Sequence, residues 1–341
     1  MAVAEYPALR AGLRPNTYAG ALFAHNFQRK QAYQAVKHLH IHSTLRKDEW
    51  EQLDSVVTTR GREVLVGVQD LRGAAGILQS VSIAVSIAQY NRQSEMGPAD
   101  VAMNPLADGT RGRLDYGLAG VPIPFVFKDF QLDIRTLTAS RILGPGLDVS
   151  QGSSASYVVS QQFETMLFRG TPAIAVADRV GTLNTIYGYT THPDRNTGLS
   201  VGDWGDTTSG YIYAINTIEA MKRALRDDRY MAPYWLYVNS HNWSDINSVN
   251  AQTDRRVIDV IRADPEITKV MYTPQLLSGE LVMVAPRPEV VRWVEAAAIL
   301  PVEWDEKGGL GTNYRVIGAA APLVKSTDTG QSGIAHWTQA T

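Results

Sequence analysis

The sequence predicts a mixed α+β protein, and three patterns along the chain carry that prediction. Residues 45–71 hold an apolar stripe at helical spacing. Two alternating, strand-like runs, 79–90 and 127–137, enclose a stretch rich in glycine and proline. From residue 182 onward, helical and strand patterns follow one another. This mixture of the two periods is typical of the α+β class.

Composition limits the class of function. The chain has 341 residues, of which 44% are hydrophobic and 19% charged, and its formal net charge is −2. These values are typical of a globular protein with a core. The absence of cysteine excludes disulfides, thiolate metal sites, iron–sulfur clusters and cysteine nucleophiles. No apolar run approaches the roughly 20 residues that span a bilayer, and no signal peptide is recognisable, so we expect a soluble cytoplasmic chain with no membrane partner.

Residues 1–43 show no sustained period and predict an extended arm. They hold four of the seven histidines and a group of basic residues against one acid, Glu5. The basic residues are Arg10, Arg14, Arg29, Lys30 and Lys37. Two interpretations stay open: a solvated arm, or an arm that contacts a neighbouring subunit or a polyanion.

Residues 45–71 form the first periodic segment, with apolar side chains three, four or seven positions apart. These side chains are Trp50, Leu53, Val57, Val64, Val68 and Leu71. Such spacing predicts one amphipathic helix, which Gly61 weakens near its middle.

Residues 79–137 predict a projecting hairpin made of two alternating runs. The first run alternates through Val81, Ile83, Val85 and Ile87, and the second through Phe130, Leu132 and Ile134. Between them, residues 91–122 contain five glycines and three prolines, and have little apolar content for a compact domain. A two-stranded projection is marginal alone, so we expect it to pack on something outside its own subunit.

Residues 148–170 predict the next helix, capped by Asp148 or Ser150 and ended by Gly170. Its apolar stripe consists of Ala155, Val158, Val159, Met166 and Leu167. The second half predicts a compact α/β unit, with helices at 211–225 and 253–263, strands at 233–240 and 281–285, a strand-like run at 313–324 and a polar tail from 326.

The cluster His192, Pro193, Asp194 and Arg195 is the most conspicuous candidate for chemistry. A histidine and a carboxylate two positions apart can hold a metal or relay a proton. However, the surrounding glycines, proline and asparagine predict a turn, and no second pair nearby supplies further ligands. We expect a structural loop in which His192 and Asp194 bond to backbone amides.

Three histidines, His38, His40 and His42, would share one face of an extended strand. Three imidazoles can bind zinc or nickel, but a structural site needs a fourth ligand, and a pH-sensitive role is the stronger interpretation. The GGLG run at 308–311 lacks the Lys-Ser/Thr pair of a phosphate loop. We therefore predict no catalytic residue, no metal and no cofactor.

The order of several motifs resembles the major capsid proteins of tailed bacteriophages, and more closely the encapsulin or linocin-like branch of that family. The motifs are the helix TLRKDEWEQLDS, the strand motif Phe130-Gln131-Leu132-Asp133, the helix end Leu167-Phe168-Arg169-Gly170 and the loop Gly188-Tyr189-Thr190-Thr191-His192-Pro193. A later segment, APYWLYVNSHNW, resembles a strand and turn of the same family. The resemblance extends over residues 44–325.

The resemblance implies the Hong Kong 97-type capsid fold. Its expected parts are an N-terminal arm (1–43), a peripheral-domain helix (44–78), an extended-loop hairpin (79–123), a peripheral domain with a long spine helix (124–181), an axial domain (182–290), return strands (291–325) and a C-terminal tail (326–341).

The resemblance also implies function by contact and not by catalysis. The expected function is a major capsid protein of a tailed phage, which assembles into pentamers and hexamers of an icosahedral head around double-stranded DNA in the host cytoplasm. Scaffolding, portal and decoration proteins are expected partners. The arm and tail favour this function over the alternative, an encapsulin-type nanocompartment shell. A remote alternative is a metal-dependent hydrolase built on His192, Asp194 and the histidines at 38–42.

Contacts between subunits are expected from charged residues of the arm and of the extended loop. The candidates are Arg10, Arg14, Arg29, Lys30, Arg111, Arg113 and Asp115. A solvated, charged loop tip is the alternative. Some members of the family cross-link their shells covalently through a lysine in this loop. Since no lysine occurs between Lys47 and Lys128, we expect no such isopeptide cross-link here.

Overall fold

A computed structural model describes most of the chain from residue 47 to residue 339. The described ranges are 47–94, 96, 98–101, 103–104, 106, 108–114, 116–133, 149–177, 183–206, 208–249, 255–306 and 311–339. The predicted arm, with His38, His40 and His42, lies outside these residues.

The first half of the chain combines long helices with short strands. Its elements are α1 (Lys47–Val64), α2 (Gly67–Gly73), β1 (Leu78–Ser80), β2 (Ile87–Gln93), β3 (Tyr116–Pro122), β4 (Phe125–Asp133), α3 (Ser150–Arg169), β5 (Thr171–Ala177) and β6 (Leu183–Ile186). The predicted helix at 148–170 is therefore confirmed as α3.

The second half alternates helices and strands, as its sequence predicts. Its elements are β7 (Asn196–Ser200), α4 (Gly210–Asp227), β8 (Tyr234–Val238), α5 (Ser240–Asn247), α6 (Val257–Ala263), β9 (Ile267–Tyr272), β10 (Glu280–Val284), β11 (Val291–Glu306), β12 (Gly311–Val324) and β13 (Ile334–Gln339).

The strands form two larger sheets and two hairpins. One sheet has the order β1-β11-β12-β4, and the other has the order β7-β13-β10-β8-β9. Strand β13 lies parallel to β7 and antiparallel to β10. The hairpins are β2-β3 and β5-β6, both antiparallel.

The chain divides into two compact units. The described parts of the smaller unit are 47–57, 129–133, 149–155, 301–306 and 311–316. In this unit Phe130 stacks on Tyr314, with ring centroids 5.2 Å apart. Arg315 makes a bidentate ion pair with Asp129, at 2.6 and 2.7 Å.

The larger unit contains the five-stranded sheet and most of α3. Every residue of β8 is buried, which explains its continuous apolar and aromatic sequence YWLYV. From α3, Phe168 packs edge-to-face on Tyr189 and Tyr237, with ring centroids 5.5 and 5.1 Å away. Gly170 then ends the helix in a left-handed conformation, with φ of 70°.

Three sequence predictions are wrong in detail. The helix predicted over 45–71 is broken after Val64 and resumes at Gly67, so the break lies beyond Gly61. The single strand predicted through Val81, Ile83 and Val85 is two short strands, β1 and β2, with a turn between them. Ile83 lies in this turn and is 61% exposed. Val158, assigned to the buried stripe of α3, is 44% exposed.

Two further predictions misplace whole strands. The hairpin returns through β3, which lies inside the stretch that the sequence shows as loose, whereas the predicted return strand β4 joins the sheet of β12. The predicted polar tail contains β13, an internal strand of the five-stranded sheet. Burial of Ile334, Ala335 and Trp337 explains why this segment pairs instead of remaining in solvent.

Candidate functional site

The stalk of the hairpin consists of β2 and β3. Their register runs from the pair Ile87–Pro122 to the pair Gln93–Tyr116. Glycine is required at position 120, because a Cβ atom there would lie 2.8 Å from Ile87 Cγ2 and 3.1 Å from Asn184 Oδ1 on β6. Gly120, one of the glycines that suggested a loose segment, therefore allows the stalk to pack closely.

The hairpin tip, which comprises the described residues between Gln93 and Tyr116, presents apolar side chains to solvent. Val101 is 98% exposed, Leu106 is 87% exposed and Met103 is fully exposed. Within the tip, Asp100 accepts hydrogen bonds from the amide and the hydroxyl of Thr110. Side chains of this size that are so exposed can still lose apolar surface to water if another molecule contacts the tip.

Polar contacts hold the stalk at its outer end. The Arg92 guanidinium donates to Asp194 Oδ2 at 3.0 Å and to the Thr327 carbonyl at 2.8 Å. The amide of Asp328 lies 3.4 Å from the Gln93 carbonyl, to which it donates. The stalk is thus attached to two segments that are distant in sequence.

The His192 side chain forms a hydrogen bond within the loop that contains Asp194. The His192 side chain is buried, and its Nδ1 accepts a hydrogen bond from the Asp194 amide at 3.2 Å. Burial lowers the pKa of His192 to about 4, and the positive charges of Arg92 and Arg195 act in the same direction while Asp194 opposes them. His192 is therefore neutral at pH 7, as an accepting Nδ1 requires.

Asp194 and Arg195 connect this loop to two other segments of the chain. Asp194 Oδ2 also accepts a hydrogen bond from the Ser326 hydroxyl at 2.6 Å. Arg195 donates to the His192 carbonyl at 2.8 Å and to His336 Nδ1, on β13, at 3.2 Å. The His192 side chain thus binds a backbone amide, as expected, whereas these contacts of the Asp194 carboxylate are with side chains. Pro193 is exposed.

A cavity of about 400 Å³ lies between the stalk and this loop. Its lining includes Tyr90, Arg92, Asn184, His192 and Asp194. Charged, amide and aromatic groups are mixed along its wall, so its surface does not define one class of small ligand.

A buried carboxylate on α3 is a second polar feature, which the sequence analysis missed. Glu164 is 1% exposed, and its two oxygens accept hydrogen bonds from the amides of Gly67 (2.5 Å) and Val68 (3.2 Å). It therefore caps α2. Burial raises the pKa of Glu164 to about 7, although the backbone amides favour its charged form. The signal available in the sequence was an acid within the apolar run FETMLF.

The remaining predicted site residues fall in different places. Arg111 and Arg113 are exposed in the hairpin tip. Arg10, Arg14, Arg29, Lys30 and Asp115 lie outside the described residues. Within the described ranges, no group of three histidine, aspartate or glutamate side chains is placed to hold a metal ion. No helix in the same ranges is long and apolar enough to cross a membrane.

Solved structures similar to this one include a phage capsid and a virus-like particle. The capsid of Myoviridae phage XM1 is 9% identical with a TM-score of 0.59, over 79% of this chain and 92% of the phage chain. The virus-like particle from Pyrococcus furiosus is 14% identical with a TM-score of 0.56, over 84% of this chain and 98% of the other. The protein therefore has the Hong Kong 97-type capsid fold, as the resemblance in its sequence implies.

Sequence comparison gives a curated relative and a family. The type 1 encapsulin shell protein EncA of Myxococcus xanthus is 25% identical over 225 residues, which are 65% of this chain and 71% of EncA. The chain belongs to the family described as a family of unknown function (DUF6260), whose profile matches residues 39–337.

Proposed function

We propose that this chain is the major capsid protein of a tailed double-stranded DNA bacteriophage. The observation that carries the proposal is the exposed hairpin tip on a chain with the Hong Kong 97-type fold. Val101, Met103 and Leu106 are apolar, and burying them against neighbouring copies is favourable, at roughly 25 cal/mol per Å². Its role is then structural and not enzymatic.

Closed symmetry lets every copy bury its tip at once. In pentamers and hexamers of an icosahedral head, each subunit both offers a tip and receives one, so several modest contacts add up in each subunit. The likeness to the XM1 capsid supports the phage assignment. The basic balance of residues 1–43 supports proximity to packaged DNA through non-specific phosphate contacts.

Further partners belong to the same proposal. Scaffolding, portal and decoration proteins would act with the shell, which would assemble in the host cytoplasm and remain in the virion. The alternative, an encapsulin-type shell, is favoured by one observation, the sequence similarity to EncA. The two functions differ in what the shell encloses: a phage head encloses DNA, and a nanocompartment encloses protein.

Electron microscopy of the full-length chain tests the shell function. We expect closed shells or capsomer rings from the wild type, expressed alone or with a candidate scaffolding protein. The double variant Met103→Asp/Leu106→Asp should stay monomeric in light scattering, because charge on the tip opposes its burial. Met103→Leu/Leu106→Met, which keeps the tip apolar, is the matched control.

The outcomes separate the proposals. A wild-type chain that remains monomeric under every condition would contradict any shell function. Shells purified from infected or producing cells with nuclease-protected DNA would support the phage capsid, and shells with one enriched cargo protein would support the nanocompartment.

A further inference from the structure

We propose that Asp194 is the positioning residue that fixes the direction of the hairpin, so that only the tip beyond Gln93 and Tyr116 is left to contact neighbouring copies. The inference rests on the proposed shell function, because the direction of the hairpin matters only if its tip meets another subunit. It gives the loop at 192–195 a role in assembly that is neither catalysis nor metal binding.

The stalk is held at two places by contacts of different kinds: close packing at Gly120, and polar contacts of Arg92 and Gln93 at its outer end. On one side, Gly120 lies against Asn184 of β6 at close range, which restrains the position of β3. On the other side, Arg92 of β2 reaches Asp194 and the Thr327 carbonyl. The first support acts as a pivot, since close packing fixes where the stalk lies. The second fixes its angle, because a charged hydrogen bond is directional.

The cavity explains why a polar contact can fix the angle of the stalk. Close-packed side chains would hold the stalk by shape alone, but about 400 Å³ of open volume separates it from the loop. Across that volume, the Arg92–Asp194 pair is a bridge of 3.0 Å whose two side chains are 29% and 25% exposed. Partial burial keeps the pair less screened than a fully exposed one.

Asp194 is itself fixed to the five-stranded sheet. Its amide donates to His192 Nδ1, and its carboxylate accepts from Ser326. The His192 carbonyl accepts from Arg195, which also donates to His336 on β13. A continuous series of hydrogen bonds therefore connects an internal strand of the sheet to the stalk, and the hairpin takes its direction from that strand.

Hydrogen exchange on the unassembled full-length chain tests the proposal. In Asp194→Asn we expect amides of β2 and β3 to exchange about tenfold faster or more, because the stalk opens more often. Amides of β8 and β10 should keep their wild-type rates. Glu289→Gln, which removes an exposed ion pair to Arg287 elsewhere in the chain, is the matched control and should change neither group.

A double variant distinguishes positioning from a general loss of structure. Arg92→Gln also loses the hydrogen bond to the Thr327 carbonyl, so if Asp194 acts through Arg92, the variant Arg92→Gln/Asp194→Asn should exchange no faster than Arg92→Gln alone. Additive effects, unchanged stalk exchange in Asp194→Asn, or equally faster exchange in β8 and β10 would each overturn the proposal.

Assembly is the second readout. With the stalk released, Asp194→Asn should form fewer closed shells and more irregular assemblies than Glu289→Gln at the same concentration. If the wild type forms no shells, that result contradicts the proposed shell function. The exchange experiment still decides whether Asp194 holds the stalk.

Discussion

The hairpin tip and strand β13 are both short segments with several apolar side chains, but their surroundings are opposite. In the tip, Val101 and Met103 are almost fully exposed. In β13, Ile334 and Ala335 have no exposed surface, and the strand pairs with β7 on one side and β10 on the other. One segment completes a sheet of its own chain, and the other carries these exposed side chains at the end of its stalk.

The comparison shows that apolar content does not decide which molecule covers a segment. What decides is whether the chain itself supplies an open strand edge or an apolar surface at the right place. Between them, β7 and β10 leave a gap of one strand, which β13 fills. On the proposed function, folding and assembly therefore depend on different residues, and variants can separate them.

Removing β13 should have the largest effect. A chain ended after Gly333 leaves β7 without its pairing strand and exposes the edge of β10, so we expect it not to reach the native fold. Near-ultraviolet circular dichroism and limited proteolysis measure this loss. The matched control replaces residues 96–113 of the tip by Asn-Gly and should melt like the wild type. A truncated chain that also melts like the wild type would contradict the assignment of β13 to the core.

Truncating a buried aromatic side chain should have the next largest effect. Phe168→Ala removes a ring packed against Tyr189 and Tyr237, and should lower the free energy of unfolding by about 3–5 kcal/mol. Met103→Ala in the tip is the control, for which we expect a change within about 0.5 kcal/mol. Urea unfolding of the unassembled chain measures both values, and similar losses would show that the tip is covered within its own chain.

Glu164 should give the larger unit a stability that depends on pH. Its pKa is raised from 4.5 to about 7 in the folded chain, so its favourable contribution is present below pH 4.5 and is lost as the pH rises through 7. Glu164→Gln cannot titrate, so its loss of stability between pH 5 and pH 8 should be smaller by up to about 3 kcal/mol.

Unfolding in urea at several pH values between 5 and 8 measures this difference. Glu289→Gln, an exposed acid, is the control and should follow the wild type. Parallel pH profiles for wild type and Glu164→Gln would show that Glu164 titrates normally.

Charge on the tip should have the smallest effect on folding. Met103→Asp/Leu106→Asp changes side chains that lie in solvent, so the free energy of unfolding of the monomer should stay within about 0.5 kcal/mol of the wild type. Thermal melting followed by circular dichroism measures it. A large destabilisation would place the tip within the core of its own subunit and remove the contrast with β13.

Long segments with a clear period were predictable from the sequence. Helices α3 and α4 and strands β8 and β10 fall where their apolar spacing places them, because local periodicity and burial agree there. Strand β3 was missed because Gly117 and Gly120 weaken its strand character, although close approach of Ile87 and Asn184 requires glycine at 120. The first amides of α2 bond to Glu164, a residue far along the chain that the local pattern does not contain.

The candidate site was predictable only in part. The sequence singled out His192 and Asp194, but not the residues that give them a role. Arg92 lies 102 positions before Asp194, and Ser326 lies 132 positions after it. Contacts at such separations are set by the tertiary fold and leave no periodic signal in a single sequence. Exposed apolar residues of the tip likewise look the same in sequence as residues of a loose loop.

Strand β13 follows every other strand of its sheet in chain order, which links this fold to protein synthesis. While a ribosome is still translating the residues before 334, β7 has no pairing strand, and the edge of β10 is open. A nascent chain therefore cannot complete the five-stranded sheet until residue 339 has left the ribosome. Because Arg195 connects that strand to the loop that contains Asp194, this link between the sheet and the stalk also forms only after β13 has been synthesised.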